Sequence, residues 1–397
     1  MNLVSRKAPA PSSPEAQRRL AYFSDRREEI VSTIRELVEI ESPSDNKSAA
    51  DRMAEFIASK FSQLGGEIHF HPAKNFGNHL QINFAGKSAH KPVLLLGHYD
   101  TVYPLGTLAT MPCRRVGDKV NDKLSGPGVL DMKSGIALML HALAALKQWH
   151  GRLPRPVTVL LVSDEEVGSD SSRALTESLA KQSAAVLVIE PAQGYEGAVK
   201  TARKGVGDYL VKVTGKASHA GLDFQKGVNA ILELSRQIEK ISSFTDLKKC
   251  LTVNVGIVSG GSRTNIVPAE AQAQVDVRIA RMKDAPGIDK KMRSLRPFNR
   301  KCKIEVTGGI NRPPMERTAG VAALYRQASA IAHELGWKLE EAAVGGGSDG
   351  NFTASLGIPT LDGLGGVGDG AHAPHEHILI SELPRRAALL AELIEKM

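Results

Sequence analysis

The residues best suited to chemistry are two histidines and a set of acids spread along the chain. They lie in GHYDTV, GPGVLDMKSG, SDEEVGS, VIEP and GDGAHAP, and they are His98, Asp100, Asp131, Glu165, Glu166, Glu190 and His372. Each follows an aliphatic run or lies in a glycine-rich loop, and ligands converge at the strand ends of α/β sheets. Two imidazoles with several carboxylates suit a pair of divalent transition ions, because carboxylates can bridge and leave coordination positions open for water. The set predicts a two-metal hydrolase.

The spacing of apolar residues predicts the elements that must position these groups. Helical spacing runs from about residue 25 to 41, from about 49 to 64, and near 134 to 148. Strand-like runs lie between and after these helices, namely EIHFH, HLQINFAG, PVLLLGH, PVTVLLVSDE and AVLVIEP. Because continuous apolar strands alternate with helices, the pattern predicts an α/β fold whose sheet is covered on both faces.

The pattern changes after Glu190. From about residue 203 to 312 the strands alternate apolar and polar residues, as half-exposed antiparallel strands do, with helices between them. Beyond this stretch the first pattern returns, with a helix, a glycine-rich loop, a short strand and a terminal helix. We therefore predict a catalytic domain in two parts, 25–202 and 314–397. An inserted α+β domain at 203–313 interrupts it, and a mobile polar tail at 1–24 precedes it.

Composition limits the classes of function. The chain has 397 residues, 42% hydrophobic and 24% charged, which is ordinary for a globular protein with two domains. The formal charge of +8 permits attraction to polyanions, but no basic run interleaved with aromatics occurs, so we expect no nucleic-acid binding. No stretch approaches the roughly 18 apolar residues of a membrane span, and the N-terminal stretch does not resemble a secretory signal. Cys113, Cys250 and Cys302 are too far apart for a disulfide framework, and we expect buried or half-buried thiols in a cytoplasmic enzyme.

Eight motifs occur in an order that carries a family resemblance. They are GHYDTVYP, GPGVLDMKSG, TVLLVSDEEVGS, the isolated Glu190, VTGKASHAG, SRTNIVPAEAQAQVDVR, GGGSDGNF and GDGAHAPHE. Together they resemble the M20 metallopeptidase family, and within it the glutamate carboxypeptidase and N-acyl-amino-acid deacylase group. The similarity extends from about residue 28 to the end of the chain. It implies a zinc-peptidase-like catalytic domain with a mixed sheet between helices, and a smaller inserted domain through which two copies form a homodimer.

The resemblance also implies a metal assignment. One ion would be held by His98 and Glu190, the other by Glu166 and His372, and Asp131 would bridge the two. Two zinc ions per chain are the default, with cobalt or manganese as alternatives in a carboxylate-rich site. The family further implies a cis peptide bond between Asp131 and Met132.

Three further residues have catalytic roles in this interpretation. Asp100 would orient His98 and fix its tautomer. Glu165 is the candidate general base, which would take a proton from the bridging water and deliver it to the leaving amine. His219, in GKASHAG, is similar to the family histidine that reaches across the dimer to stabilise the developing oxyanion.

Substrate contacts are assigned in the same way. Arg278 and Asn265 resemble the pair that binds a substrate carboxylate, for which a planar guanidinium is well suited because it can bind both oxygens. The N–H groups of Gly346 and Gly347 could complete that site, since glycines permit close approach to the backbone. Arg312 is a weaker candidate for a pocket that takes an acidic side chain.

The sequence predicts a carboxypeptidase or N-acyl-amino-acid amidohydrolase, acting on a small peptide or N-acyl amino acid with a free α-carboxylate. A preference for glutamate is one option that it leaves open. The alternative is a biosynthetic deacylase of the acetylornithine or succinyl-diaminopimelate type, which would share the metals but differ in its side-chain pocket. A non-catalytic binding protein on the same scaffold is the distant alternative, since all five ligands and Glu165 are present.

Overall fold

The computed structural model describes residues 12–117 and 122–397. The chain divides into two compact units, each described here by itself. The first comprises the chain up to Ala202 with Arg317–Ala343 and Ser348–Met397, and the second comprises Arg203–Glu316 with Val344–Gly347. The sequence placed the return to the first domain at 314, and it assigned the glycine-rich loop to that domain.

Hydrogen bonds explain why the glycine-rich loop belongs to the second unit. The Arg203 guanidinium donates to the carbonyl oxygens of Gly346 and Gly347 at 3.3 and 3.1 Å. The Lys204 N–H donates to the carbonyl of Val344 at 3.0 Å. These contacts join segments more than a hundred positions apart in the sequence, so local patterning could not reveal them.

The described residues form helices and strands whose bounds are as follows. The helices are α1 Pro14–Asp25, α2 Arg27–Val38, α3 Lys47–Gln63, α4 Ser134–His150, α5 Arg173–Gln182, α6 Ala230–Ser242, α7 Ala285–Arg293, α8 Ala319–Glu334, α9 Gly350–Ser355 and α10 Leu383–Lys396. The strands are β1 Glu67–His71, β2 His79–Phe84, β3 Val93–His98, β4 Arg114–Val116, β5 Lys123–Ser125, β6 Val157–Val162, β7 Ala185–Val188, β8 Val199–Arg203, β9 Gly205–Thr214, β10 Ser218–His219, β11 Thr252–Gly260, β12 Ile266–Val267, β13 Glu270–Ile279, β14 Lys303–Arg312, β15 Glu341–Val344, β16 Thr360–Leu361, β17 Gly368–Asp369 and β18 His377–Leu379.

The first unit is built on a mixed sheet of strand order β1-β2-β6-β3-β7-β16. β6, β3, β7 and β16 run parallel to one another, whereas β2 pairs antiparallel with both β6 and β1. Successive residues of β3 belong to different cores: Leu95 joins the core that contains α4 and α10, and Leu94 and Leu96 join the one that contains Ala180 of α5. Because side chains alternate across a strand, a continuous apolar run is buried on both faces. The predicted fold class is confirmed.

Within the described residues, one segment has the length and composition of a membrane span, contrary to the prediction from the sequence. It is Val129–His150, whose mean hydropathy is 1.5. In the fold it consists of the turn before α4 and α4 itself, and 78% of the tested window is buried inside the protein. A helix that is apolar all round is typical of the core of a large domain, and burial here accounts for the composition.

The second unit contains a four-stranded antiparallel sheet of order β11-β13-β9-β14. One face is a core with α6 and α7, to which β9 contributes Tyr209, Val211 and Val213. The opposite face presents the intervening polar residues of the same strand, Asp208 and Lys212, which are exposed. This alternation is what the sequence predicted for half-exposed strands. A separate two-stranded ribbon pairs β10 with β12.

The described part of the predicted mobile tail is a docked helix. Residues 1–11 lie outside the described residues, but Pro14–Asp25 forms α1, and its apolar side chains join the main core. The Arg19 guanidinium lies 4.1 Å from the centre of the Trp149 ring and pairs with Glu395 at 2.6 Å. The prediction was wrong here because much of the docking is ionic, and its partners are distant along the chain.

The three cysteines are free thiols. Cys302 is buried and Cys113 is half-buried, as predicted, whereas Cys250 is exposed. Cys250 has a φ of +53° and lies in a tight turn whose ends, Asp246 and Leu251, exchange main-chain hydrogen bonds of 2.9 and 3.0 Å. Tight turns of this kind lie at the surface, which the apolar character of cysteine does not predict.

Candidate metal centre

Adjacent parallel strands of the first unit deliver four of the candidate residues to one edge of the sheet. His98 ends β3, the DEE segment with Glu165 and Glu166 follows β6, and Glu190 follows β7. β3 pairs with β6 on one side and with β7 on the other. The carboxyl ends of parallel strands meet at the same edge, so these side chains converge although the chain separates them widely.

His98 is buried, with 1% of its surface exposed, and its ring is held in one orientation. Its Nδ1 lies 3.0 Å from the main-chain oxygen of Asp100. Because a carbonyl can only accept, Nδ1 carries the proton, and the lone pair of Nε2 is free to bind a metal ion.

The Asp100 carboxylate contacts His98, as predicted, and it has further partners. Its Oδ1 is 3.4 Å from His98 Nδ1, and the main-chain oxygen of the same residue is the closer partner of the ring. Its oxygens also accept from the N–H groups of Glu165 and Glu166, at 3.4 and 3.3 Å, and from the Ser44 hydroxyl at 2.6 Å. Asp100 therefore also joins the loop after β3 to the loop after β6.

Asp131 lies between the two histidines. It belongs to the turn at Val129–Lys133 before α4, and the Asp131–Met132 peptide bond is cis, as the resemblance implies. Its Oδ1 is 3.1 Å from His98 Nε2, and its Oδ2 is 3.4 Å from His372 Nε2. Each oxygen faces a different imidazole, which is the arrangement of a carboxylate that bridges two ions.

The other two ligands complete one group around each histidine. Glu190 Oε1 is 3.4 Å from His98 Nε2, and Glu166 Oε2 is 3.1 Å from His372 Nε2. At metal–ligand bonds of about 2.0 to 2.1 Å, tetrahedral ligands lie roughly 3.3 Å apart. The spacing and the donor types therefore fit two divalent ions. His372 is the most open of the five ligands, with 49% of its side chain exposed.

The charge distribution favours cations. Hydrogen bonds to Asp131 and Glu166 raise the pKa of His372 to about 10. Burial opposes protonation of His98, but the surrounding carboxylates outweigh it and raise the pKa of His98 well above its usual range. A divalent ion must compete with protons for these imidazoles, so metal binding releases protons and weakens as the pH falls.

The carboxylates of Glu165 and Asp164 have separate positions. The ligand atoms of His98, Glu165 and Glu190 all lie within 4.8 Å of one another, so Glu165 borders the metal-binding groups. The Asp164 carboxylate turns away and accepts from the N–H and the hydroxyl of Ser171 at 2.8 and 2.7 Å. Glu165 is thereby the acid that can act on a group bound at the centre.

The remaining predicted residues belong to the second unit. The β10–β12 ribbon brings His219 and Asn265 together, since the N–H of Ala220 donates to the carbonyl of Asn265 at 2.9 Å. Arg278 lies on β13, where its guanidinium pairs with Asp276 at 2.8 Å. A substrate carboxylate would therefore share this guanidinium with a carboxylate of the protein.

Arg312 packs against one of the two predicted glycines, Gly347, in the second unit. Arg312 is buried, and a Cβ added to Gly347 would lie 3.2 Å from Arg312 Cδ, whereas one added to Gly346 would meet open space. Arg312 thus lines the glycine loop.

Two residues with close contacts to the centre were missed in the sequence. Glu376 is fully buried and lies between His375 and His377 in the sequence, and the Tyr103 hydroxyl donates a hydrogen bond to it at 2.7 Å. An acid next to AHAPH is the only signal that the sequence carries, because the partners of Glu376 lie far away along the chain.

Comparison with known proteins agrees with the site and the fold. Residues 94–396 match the profile of Peptidase family M20/M25/M40. Carboxypeptidase G2 of Pseudomonas sp. (strain RS-16) is 35% identical over 383 residues, which are 94% of this chain and 90% of that protein. A tripeptidase from Staphylococcus aureus has a TM-score of 0.78 at 23% identity, over 93% of this chain and 98% of that one. YXEP of Bacillus subtilis, a dinuclear metal binding peptidase from the M20 family, has a TM-score of 0.69 at 14% identity, over 94% and 98% of the two chains.

The fold and the site define a metal-dependent peptidase that hydrolyses amide bonds. The chain belongs to peptidase family M20/M25/M40, which confirms the resemblance found in its motifs. The protein is therefore a carboxypeptidase-like hydrolase.

The bridging position of Asp131 generates a test by metal content. An amide at this position keeps one oxygen ligand and replaces the other by an NH₂ group, which has no lone pair available for a metal. We expect Asp131→Asn to lose at least about 100-fold in affinity for one ion, since even residues that only orient ligands are worth 10- to 100-fold. Metal content after dialysis against buffered Zn²⁺ measures this. Asp170→Asn, which changes an exposed acid nearby, should keep two ions. Two tightly held ions in Asp131→Asn would contradict the bridge.

Proposed function

We propose that the protein is a zinc-dependent carboxypeptidase or N-acyl-amino-acid amidohydrolase, whose leaving amino acid keeps a free α-carboxylate. The observation that carries the proposal is the Asp131 carboxylate, with one oxygen at each of two histidine-centred ligand groups. The relative that is 35% identical is named a carboxypeptidase, which supports the release of an amino acid from the C-terminal end of the substrate. Zinc is proposed because imidazole and carboxylate ligands at tetrahedral spacing suit it.

The five candidate ligands would hold two divalent ions, which would supply a water that is nucleophilic at neutral pH and would polarise the scissile carbonyl. The Glu165 carboxylate, next to His98 and Glu190, takes a proton from this water and delivers it to the nitrogen of the leaving amine. The water oxygen forms a bond to the carbonyl carbon, the amide C–N bond breaks as that nitrogen is protonated, and the products are a free carboxylate and an amino acid.

His219 is proposed as the donor to the developing oxyanion. Its Nδ1 accepts hydrogen bonds from the N–H groups of Gly221 and Leu222, both at 3.1 Å. With Nδ1 occupied as an acceptor, the proton of the neutral ring lies on Nε2, which is free to donate. The tautomer is therefore the one that this role needs.

Arg278 and Asn265 are proposed to bind the substrate α-carboxylate. The Arg278 side chain is 32% exposed on the face of β13 that the helices of its unit leave open. Its pairing with Asp276 holds the guanidinium in place, and the planar group still has donors for a second carboxylate. Arg312 and the N–H groups of Gly346 and Gly347 are proposed as further contacts to the substrate.

The test of the reaction is a panel of N-acyl amino acids and dipeptides ending in Glu, Asp, Ala, Leu or Arg, their C-terminal amides, acetylornithine and succinyl-diaminopimelate, with zinc-loaded protein. We expect faster turnover of the free acids than of their C-terminal amides, and Glu165→Gln should lower kcat by about 10²- to 10⁴-fold with two ions retained. Asp170→Asn is the matched acid-to-amide control. Turnover restricted to acetylornithine or succinyl-diaminopimelate would favour the biosynthetic deacylase, and two bound ions without turnover of any of these would favour the binding protein.

The carboxylate role of Arg278 has its own test. Arg278→Ala should lower kcat/KM for a free-acid substrate about 100-fold, or about 2.7 kcal/mol, because two charge-assisted hydrogen bonds are lost. For the C-terminal amide of the same substrate the variant should differ little from wild type, since the partner of the guanidinium is already missing. Arg281→Ala, which removes an exposed arginine after the same strand, is the control. Equal losses on acid and amide would show that Arg278 acts only through its pair with Asp276.

We also propose that two copies form a homodimer through the second unit. β11 is one of the two edge strands of its sheet, and it carries Ile257 and Val258, which are 58% and 54% exposed. Light scattering after size exclusion should give twice the chain mass, and Val258→Lys should give the single-chain mass because a buried lysine is costly. Phe70→Lys, on the edge strand of the other sheet, should stay dimeric. A monomeric wild type would refute the dimer.

The cytoplasmic location stays a prediction.

A further inference from the structure

Glu376 is a buried acid whose partners are main-chain N–H groups and one hydroxyl. Its side chain is fully buried just before β18. Oε1 accepts from the N–H groups of Leu130 and Asp131 at 2.7 and 3.0 Å. Oε2 accepts from the N–H of Gly128 at 3.0 Å and from the Tyr103 hydroxyl at 2.7 Å. Each oxygen of the Glu376 carboxylate thus accepts two hydrogen bonds.

These four donors come from the segments that carry the metal ligands. Leu130 and Asp131 belong to the turn that presents the Asp131 carboxylate, and Gly128 immediately precedes that turn. The fourth, Tyr103, follows His98 in the loop after β3, and its hydroxyl also lies 3.1 Å from the carbonyl oxygen of Ala373, the residue after His372. Glu376 itself lies four positions beyond His372. One carboxylate therefore connects the loops of three ligands.

We propose that Glu376 is a positioning residue that holds the Asp131 turn so that each oxygen of the Asp131 carboxylate faces a different metal ion. A bridging carboxylate has little freedom, because a rotation of its main chain moves both oxygens at once. Displacements of about 1 Å are enough to impair a metal or catalytic site. The inference rests on the two-metal centre proposed above, and it is independent of the substrate.

Glutamine cannot replace Glu376 in this role. Its amide has one oxygen, and its NH₂ group must occupy the place of the other. In one orientation of the amide, the NH₂ group faces the N–H of Gly128, and in the other it faces the N–H groups of Leu130 and Asp131. A main-chain N–H group can only donate, so it cannot accept a hydrogen bond from the NH₂ group. The Tyr103 hydroxyl can rotate to accept, so at least one unfavourable donor–donor contact stays within the turn.

The alternative is that Glu376 only stabilises the fold, and the chain offers a matched control for it. Glu233, in the second unit, is 2% exposed. Its oxygens accept from the N–H groups of Phe298 and Asn299, both at 2.9 Å, and from the Gln237 amide at 2.7 Å. Glu233→Gln loses the same kind of hydrogen bond without any link to a metal ligand.

The experiment compares metal-stripped wild type, Glu376→Gln, Tyr103→Phe and Glu233→Gln. Co²⁺ is titrated into each, with its visible absorption recorded, and thermal unfolding is followed before and after saturation. For Glu376→Gln we expect a 10- to 100-fold weaker affinity for at least one ion and an altered Co²⁺ spectrum. Tyr103→Phe should show a smaller change in the same direction. Glu233→Gln should lower the Tm of the metal-stripped protein and keep the wild-type titration and spectrum.

Wild-type Co²⁺ affinity and spectrum in Glu376→Gln, with a Tm loss like that of Glu233→Gln, would overturn the proposal. If Glu376→Gln does not fold, Tyr103→Phe decides, because it removes one hydrogen bond and leaves the three main-chain bonds; an unchanged titration there would equally overturn it. The readout needs no substrate. If the wild type binds two Co²⁺ ions but cleaves no member of the substrate panel, only the proposed substrate is refuted. If the wild type binds fewer than two ions, the proposed function and the proposed role of Glu376 both lose their basis.

Discussion

The structure depends on a concentration of carboxylates that two divalent ions can neutralise. Three carboxylates, those of Asp131, Glu166 and Glu190, each lie about 3.1 to 3.4 Å from the imidazole of His98 or His372. This is about the distance between two ligands of one metal ion, and Glu165 borders the same space. Carboxylates so close together repel one another strongly in a partly buried site, and shared cations relieve that repulsion. The surrounding fold can be understood as the framework that holds these charges together until the ions bind.

The mixed sheet provides most of that framework. β6, β3 and β7 are adjacent and parallel, so the ends of three buried strands present His98, the DEE segment and Glu190 at one edge. Loops supply the other two ligands, which are therefore held by hydrogen bonds. Asp100 ties the loop after β3 to the loop after β6, and Glu376 with Tyr103 ties the Asp131 turn to the segment of His372. Buried acids act as connectors in both places, because a carboxylate can accept several main-chain N–H groups.

Sequence patterning failed where distant residues interact. It missed α1, whose Arg19 pairs with Glu395 near the other end of the chain. It placed the glycine-rich loop in the wrong unit, because Arg203 and Gly347 meet only in the fold. It did not show that the main-chain oxygen of Asp100 would lie closer to the His98 ring than the carboxylate does, at 3.0 against 3.4 Å. Hydropathy and motif spacing contain no information about such contacts.

The sequence by itself determined the chemistry: the five ligand types, the adjacent acid, the buried strands and the polar alternation of the second unit. These are local properties, since side-chain donors and the two-residue period of a strand are written in neighbouring positions. Only the tertiary structure decided that Asp131 lies between His98 and His372, and that Glu376 holds its turn. Those relations are distances between segments far apart in the chain, and packing alone brings such segments together.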